Sequence, residues 1–329
     1  MKYKVLIPCA GLGTRLGDLT KYVNKPLITI NNKPAISRII DQFPKDAEFV
    51  IALGYKGRLL KDYLQIAYPK RIFYFCDVMP YSGNGSGLGL SIYNCRKYLQ
   101  EPFIFISSDT LVREKIAKPS CNWMAYDNIK NKVDYRTINI IDKKVFGINE
   151  KKDNNIKLAK PYIGLASIYD YKVFWSQYNK LNKEAINTGE VYGLKKLIEK
   201  KIIAKKFTWL DTGNLINLKK IKKIYAEKNS PNILEKKDEA IWFIDNTVIK
   251  FSNDIDFIKN RVLRSKKLRN FVPVISRVKK NFYAYKKVRG KILSKIIDKK
   301  IFLKLLAHSE KFWKKQELSN YEIKIFKKD

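Results

Sequence analysis

Short apolar runs alternate with amphipathic stretches along the first third of the chain. Tyr3–Pro8, Phe49–Leu53, Ile72–Cys76 and Phe103–Ser107 are nearly unbroken apolar runs, as expected of strands covered on both faces. Between them, Ile36–Phe43, Gly57–Ala67 and Leu88–Leu99 space their apolar residues at i, i+3 and i+4, which predicts helices. Strand–helix alternation of this kind predicts a parallel sheet flanked by helices, with ligands at the carboxyl ends of its strands. A more strand-rich section follows, with Val133–Ile141 and Tyr162–Tyr169, and then helices near Tyr171–Leu181 and Val191–Lys200. Asn214–Lys228 reads as a closing helix, and Ser230-Pro231-Asn232 as a linker. The pattern therefore divides the chain into domains at 1–229 and 230–329. The second opens on two apolar runs within Ile241–Phe251, around Asp245-Asn246, a good hairpin turn.

Composition narrows the chemistry. With 329 residues, 45% hydrophobic and 13% aromatic, the chain can build packed cores in two domains. No apolar run approaches the ~20 residues that cross a bilayer. The lysine and apolar run within Met1–Gly13 superficially resemble a secretory peptide, but the run is short and leads into a glycine loop. It reads as a first strand of a cytoplasmic protein. Cys9, Cys76, Cys95 and Cys121 are widely spaced with no C-x-x-C pair, which argues against structural zinc and a disulfide framework. His308 is the single histidine, so His-based triads and multi-His metal sites are excluded. Chemistry must come from carboxylates, lysines, arginines and backbone amides.

The net charge of +36 does not by itself indicate nucleic acid. Lysines are interleaved with Ile and Asn throughout and do not alternate with stacking aromatics. Residues 1–214 carry roughly +17 and residues 215–329 roughly +19, so the C-terminal part is the denser. This argues for a solvated surface there, or one that contacts an anionic membrane or polysaccharide.

The first run leads into Ala10-Gly11-Leu12-Gly13-Thr14-Arg15-Leu16. Glycines at 11 and 13 let backbone amides approach an oligophosphate, and Arg15 offers a fork of donors. The loop is neither G-x-x-x-x-G-K-S/T nor G-x-G-x-x-G. Lys25-Pro26-Leu27 follows, Lys25 lying ten residues after Arg15. The run G-L-G-T-R-L-(x)8-K-P-L resembles the opening motif of the sugar-phosphate nucleotidyltransferases and the related phosphocholine cytidylyltransferases. The resemblance implies that the glycine loop and Arg15 cradle a triphosphate and that Lys25 contacts phosphate at the reaction centre. The family has proline before this lysine, where the chain has Asn24, a change that bears on loop stiffness.

Three further stretches extend the resemblance over roughly residues 3–228. Asn84-Gly85-Ser86-Gly87 lies where the family has its base-recognition loop. Phe105-Ile106-Ser107-Ser108-Asp109 is similar to the strand that ends in its metal-binding aspartate, and Trp209-Leu210-Asp211-Thr212-Gly213 to its second metal motif, W-x-D-x-G. Lys160-Pro161-Tyr162 resembles the Glu-Lys-Pro segment that holds the sugar phosphate, with Ala159 in place of the glutamate. Glu190, after Gly189, could supply an acceptor contact or be a helix-start acid. The implied fold is α/β, a Rossmann-like domain with a mixed, mainly parallel sheet. The implied reaction joins a nucleoside monophosphate from an NTP to a sugar 1-phosphate or phosphocholine-like alcohol phosphate, for surface-polysaccharide assembly. Mg²⁺ held by Asp109 and Asp211 is implied with it. The two competing readings are a non-catalytic nucleotide-binding protein and a basic scaffold docking on anionic surfaces.

Residues 240–300 resemble, more modestly, the small α+β N-lobe of choline-kinase-like and aminoglycoside-phosphotransferase-like kinases, with Lys250 at the place of the lysine that touches ATP phosphates. His308 is followed by Ser309 and Glu310, and the catalytic H-x-D loop is not found. A structural or docking lobe is the expectation. This neighbour, together with Ala159, tilts the NTP towards CTP.

Overall fold

In the computed structural model, which describes residues 2–129, 132–151, 159–226, 233–291, 293–311, 317 and 319, the sheet is built around Lys4–Cys9. Side chains along a strand alternate between faces. Val5, Ile7 and Cys9 accordingly enter one apolar core, and Leu6 enters the other. Glu48–Leu53 divides the same way, Phe49, Ile51 and Leu53 against Val50 and Ala52. Because both faces are covered, these strands read as continuous apolar runs.

Nine strands form one sheet in the order Phe73–Asp77, Glu48–Leu53, Lys4–Cys9, Phe103–Ile106, Lys160–Ile168, Trp123–Tyr126, Ile202–Lys206, Lys144–Asn149, Thr137–Ile141. The first four are parallel. Lys160–Ile168 then runs antiparallel to both its neighbours. Beyond it only Trp123–Tyr126 and Ile202–Lys206 pair in parallel. The sheet is thus evenly mixed, where the strand–helix pattern predicted mainly parallel pairing. The reason lies in the connections. Thr137–Ile141 and Lys144–Asn149 are joined through Asp142 and Lys143, both at positive φ, and so short a turn joins only antiparallel strands.

Helix Gly57–Ala67 matches its predicted span, burying Leu60, Tyr63 and Leu64 against the first core. Ala35–Ile40, Leu88–Asn94, Tyr171–Ser176, Glu190–Leu197 and Leu215–Ile224 occupy the predicted places but end sooner. Asn214 caps the last of these, its side chain accepting from Asn217 N. All four cysteines are free, three of them buried.

The C-terminal part is a four-stranded antiparallel sheet, Glu239–Ile244, Thr247–Ser252, Phe282–Lys286 and Ile275–Lys279, with helix Ile255–Lys267 between its second and third strands by sequence. The hairpin turns at Asp245 with φ 50°, as its sequence predicts. Its inner face does not form a core of its own. Trp242, Ile249, Phe251 and Phe282 join the cluster that contains Leu60 and Tyr63. Trp242 meets the Tyr63 ring edge-on at 5.0 Å, and its indole N–H donates to Thr29 Oγ1 at 2.8 Å. Ser230-Pro231-Asn232 lies outside the described residues. Among the described residues no helix is long and apolar enough to cross a membrane.

Candidate active site

The first strand delivers Ala10–Thr14 to the carboxyl edge of the sheet. Gly13 sits at φ 72°, a left-handed conformation that costs glycine little. A Cβ there would lie 3.0 Å from the Cβ of Lys25, so the loop and the lysine turn rest against each other. Asn24 fixes that turn. It is fully buried, and its Nδ2 donates to Cys9 O at 3.0 Å and Tyr55 O at 2.7 Å. The stiffness that a proline would give is supplied here by two hydrogen bonds.

Ala10, Gly11, Gly13, Thr14, Arg15 and Lys25 line one side of a cavity of about 360 Å³, facing Tyr81, Ser86 and Gly87 on the other. Leu12 and Gly85, from the same two motifs, do not line it. A second cavity of about 270 Å³ shares Pro8, Arg15, Leu88 and Ser108 with the first. Its wall carries Asp109, Asp211, Tyr135, Arg136, Lys151, Tyr162, Trp209 and Glu190. Lys160 lines neither. It stands two residues before Tyr162, where its strand pairs with Ile138, and Arg15, Arg136 and Lys151 provide the positive charge at the second cavity.

The two aspartates meet at the junction. Strand Trp209–Asp211 pairs with Thr110–Val112, Asp211 opposite Thr110, and Thr212 donates to the Asp109 carbonyl through both its N–H (2.9 Å) and its hydroxyl (3.0 Å). A Cβ on Gly213 would come within 2.9 Å of Asp211 Oδ1 and 3.0 Å of Asp109 Oδ2. The two carboxylates therefore converge on a space that only glycine leaves open. Asp211 is held by Gly213 N on Oδ1 at 2.7 Å, and by Asn217 Nδ2 and Tyr135 Oη on Oδ2 at 2.8 and 3.0 Å. Lys25 Nζ donates to Asp109 Oδ2 at 2.5 Å, and Arg15 lies 3.9 Å from the same oxygen. Burial alone would raise the Asp109 carboxyl, but the charge and hydrogen bond of Lys25, then Arg15, outweigh it and hold the group below its usual range.

Two carboxylates around one gap suit a hard divalent cation that takes its other oxygens from substrate phosphates and water. No group of three or more His, Cys, Asp and Glu that could hold a metal occurs among the described residues. The donor set thus fits Mg²⁺ shared with a substrate rather than enclosed by protein.

The arrangement has counterparts among known proteins. No protein-family model matches the chain. It is 26% identical over 144 residues to D-glycero-α-D-manno-heptose 1-phosphate guanylyltransferase of Campylobacter jejuni, covering 42% of this chain and 63% of that protein. It is 42% identical over 62 residues to a probable glucose-1-phosphate cytidylyltransferase of Bacillus subtilis, covering 18% and 24%. These matches span less than two thirds of either relative. A UDP-glucose pyrophosphorylase solved with UDP-glucose superposes with a TM-score of 0.58 at 19% identity, over 68% of this chain and 98% of that one. The CTP:phosphocholine cytidylyltransferase of Streptococcus pneumoniae superposes with a TM-score of 0.56 at 20% identity, over 69% and 100%. The relatives are by description sugar-1-phosphate nucleotidyltransferases, and the structural neighbours share the fold. Nothing among them supports a kinase-like reading of the C-terminal sheet.

Several residues that line these cavities or hold Asp211 escaped the motif reading. Tyr135, Arg136 and Lys151 flank strands Thr137–Ile141 and Lys144–Asn149, whose sequence shows no site pattern. Asn217 was within reach, because the Asn214 cap places it in the first turn of the helix after W-x-D-x-G.

Proposed function

We propose that the site transfers a nucleoside monophosphate from an NTP to a phosphorylated small molecule, a sugar 1-phosphate or a phosphocholine-like alcohol phosphate, with release of pyrophosphate. One observation carries the reading. A glycine-loop cavity bearing Arg15 and Lys25 adjoins a second cavity, and the junction is where Asp109 and Asp211 converge. The nucleotide occupies the first cavity and the acceptor the second. An acceptor phosphate oxygen attacks the α-phosphorus, one P–O bond forms, and the α–β bridging P–O bond breaks as pyrophosphate leaves. The attacking oxygen is already ionised, so no general base is required, in keeping with a site that has no histidine. Arg15 and Lys25 offset the charge of two polyanions, and the loop orients the triphosphate. Mg²⁺, when held by Asp109 and Asp211, supplies charge neutralisation at the reacting phosphates.

For the C-terminal sheet we propose a structural or docking role. Lys250 is engaged by Glu239 within the sheet and lies 5.7 Å from the Phe257 ring centroid, and helix Ile255–Lys267 carries no glutamate. The test of the main reading is pyrophosphate release with Mg²⁺ across four NTPs, each offered sugar 1-phosphates and phospho-alcohols. Release that needs one NTP and one acceptor is expected; NTP binding without release from any pair would favour a nucleotide-binding protein.

A further inference from the structure

Helix Lys299–Ser309 has no buried residue, although Asp298 caps it by accepting from Ile301 N at 2.7 Å. Phe302, Leu303, Leu305 and Leu306 are 47%, 54%, 39% and 42% exposed. At 3.6 residues per turn these four share one face, and Lys300, Lys304 and His308 take the opposite one. The ring of His308 meets Phe271 at 5.5 Å, so this tie between the helix and its lobe is made from the polar side. The apolar side is left to solvent. The chain leading to it adds Leu293, Ile296 and Ile297, each more than a third exposed. Globular proteins rarely leave so many large apolar side chains together in water without a partner for them.

The surrounding charge identifies the partner. Residues 286–311 hold nine lysines and arginines, with Asp298 and Glu310 as their only acids. No ion pair among the described residues engages any of the nine. Helix Ile255–Lys267, which ends shortly before Phe271, adds Arg264, Lys266 and Lys267 in its last turn. A nucleic acid would use the cations and leave the leucines and Phe302 in water, since its backbone offers phosphates and nothing apolar. An anionic bilayer satisfies both. An amphipathic helix sinks its apolar face to the acyl boundary while its lysines meet the lipid headgroups. Lys299, in the first turn of the apolar face, can lay its stem along that face and keep its ammonium at the headgroups. We propose that helix Lys299–Ser309 docks the protein on an anionic phospholipid surface, lying in the plane of the bilayer rather than across it. This rests on the docking role given above to the C-terminal part, and not on the transferase reading.

The experiment is co-sedimentation of the full chain with vesicles of equal parts phosphatidylglycerol and phosphatidylcholine, and with phosphatidylcholine alone, at low and high salt. Wild type, the double variant Phe302→Ser with Leu306→Ser, and the double variant Lys300→Gln with Lys304→Gln are compared, with circular dichroism to follow folding. Wild type should bind the mixed vesicles, more weakly as salt rises, and bind phosphatidylcholine at least about 100-fold less. The apolar double variant should bind at least about 100-fold more weakly, since two large side chains no longer leave water. The lysine double variant should lose about 25-fold and show a flatter salt dependence, each lysine near an anionic surface contributing about fivefold. If the apolar double variant does not fold, Leu303→Ser, at the most exposed of the four positions, carries the same comparison with a loss of about 10-fold. Binding to neither vesicle, or equally to both, overturns the proposal. So does anionic binding that the apolar substitutions leave unchanged, which charge alone would explain. A dimer that these substitutions dissolve would overturn it too, by assigning the face to a second copy. None of these outcomes touches the transferase reading, which pyrophosphate release tests separately.

Discussion

Lys25 donates to Asp109 at 2.5 Å across 84 residues of chain, and the two side chains are only 16% and 20% exposed. The pair links the turn after the glycine loop to the end of the Phe103–Ile106 strand. It also keeps Asp109 ionised in a buried setting, the form in which a carboxylate accepts a cation.

Asp109→Asn keeps the side-chain shape and removes that charge. Turnover is expected to fall by at least about 1000-fold, since a metal's electrostatic stabilisation is worth several kcal/mol. Circular dichroism should match wild type, because the backbone ties from Thr212 to the Asp109 carbonyl are untouched. Near-normal turnover would falsify the assignment of Asp109 to the reaction centre.

Gly213→Ala tests the convergence of the two carboxylates. The added methyl would sit 2.9 Å from Asp211 Oδ1 and 3.0 Å from Asp109 Oδ2, closer than real Cβ contacts allow, so at least one carboxylate must move. Turnover should drop about 100-fold or more, as sub-ångström misplacement at a reaction centre does. Titrating Mg²⁺ should show a higher half-saturation in the variant; an unchanged Mg²⁺ curve with full turnover would mean the carboxylates do not act together.

Glu190 ties stability to pH. Burial raises its folded-state value to about 7, above the 4.5 usual for a glutamate. Between those values the folded form keeps a proton that the unfolded form has lost, so rising pH destabilises the fold. The penalty grows from about pH 4.5, is complete above about 7, and amounts to about 3 kcal/mol. Glu190→Gln removes it. The variant should therefore gain on wild type in urea midpoint as pH rises through that window and run parallel to it above; a difference independent of pH would mean Glu190 is not ionised on unfolding.

The legible part of the fold was the part covered on both faces. Helix Gly57–Ala67 and the first four strands present unbroken or strictly periodic apolar patterns because each is packed against a core. Trp123–Tyr126 escaped although three of its four residues are buried, and Ile202–Lys206 buries just one of its side chains, which leaves little apolar signal. The candidate site divides similarly. Arg15, Lys25, Asp109 and Asp211 sit at strand ends and in loops that local motifs mark. Tyr135 and Arg136 reach it from before the Thr137–Ile141 hairpin, where tertiary pairing alone brings them near. Nor does spacing show that Asp211 lies opposite Thr110.

The C-terminal sheet makes a last test, because the linker composition predicts separable domains while the packing joins them. Trp242 is fully buried, stacks with Phe251 at 6.0 Å, meets Tyr63 of helix Gly57–Ala67, and bonds Thr29 through its indole. Phe243 N also donates to Asn32 O at 2.8 Å, and Arg277 reaches the Ile66 carbonyl. Replacing a fully buried tryptophan by alanine costs about 3–5 kcal/mol. In a chain of two independent domains, Trp242→Ala would lower the melting of the C-terminal part and spare the rest. Here the cavity opens against Tyr63, inside the core that also carries the first strand. The expected result is one calorimetric transition lowered by roughly 5 °C, with NTP binding lost at the same temperature. Two transitions, with NTP binding following an unshifted upper one, would show that the nucleotide-binding half folds without the sheet that covers its helix.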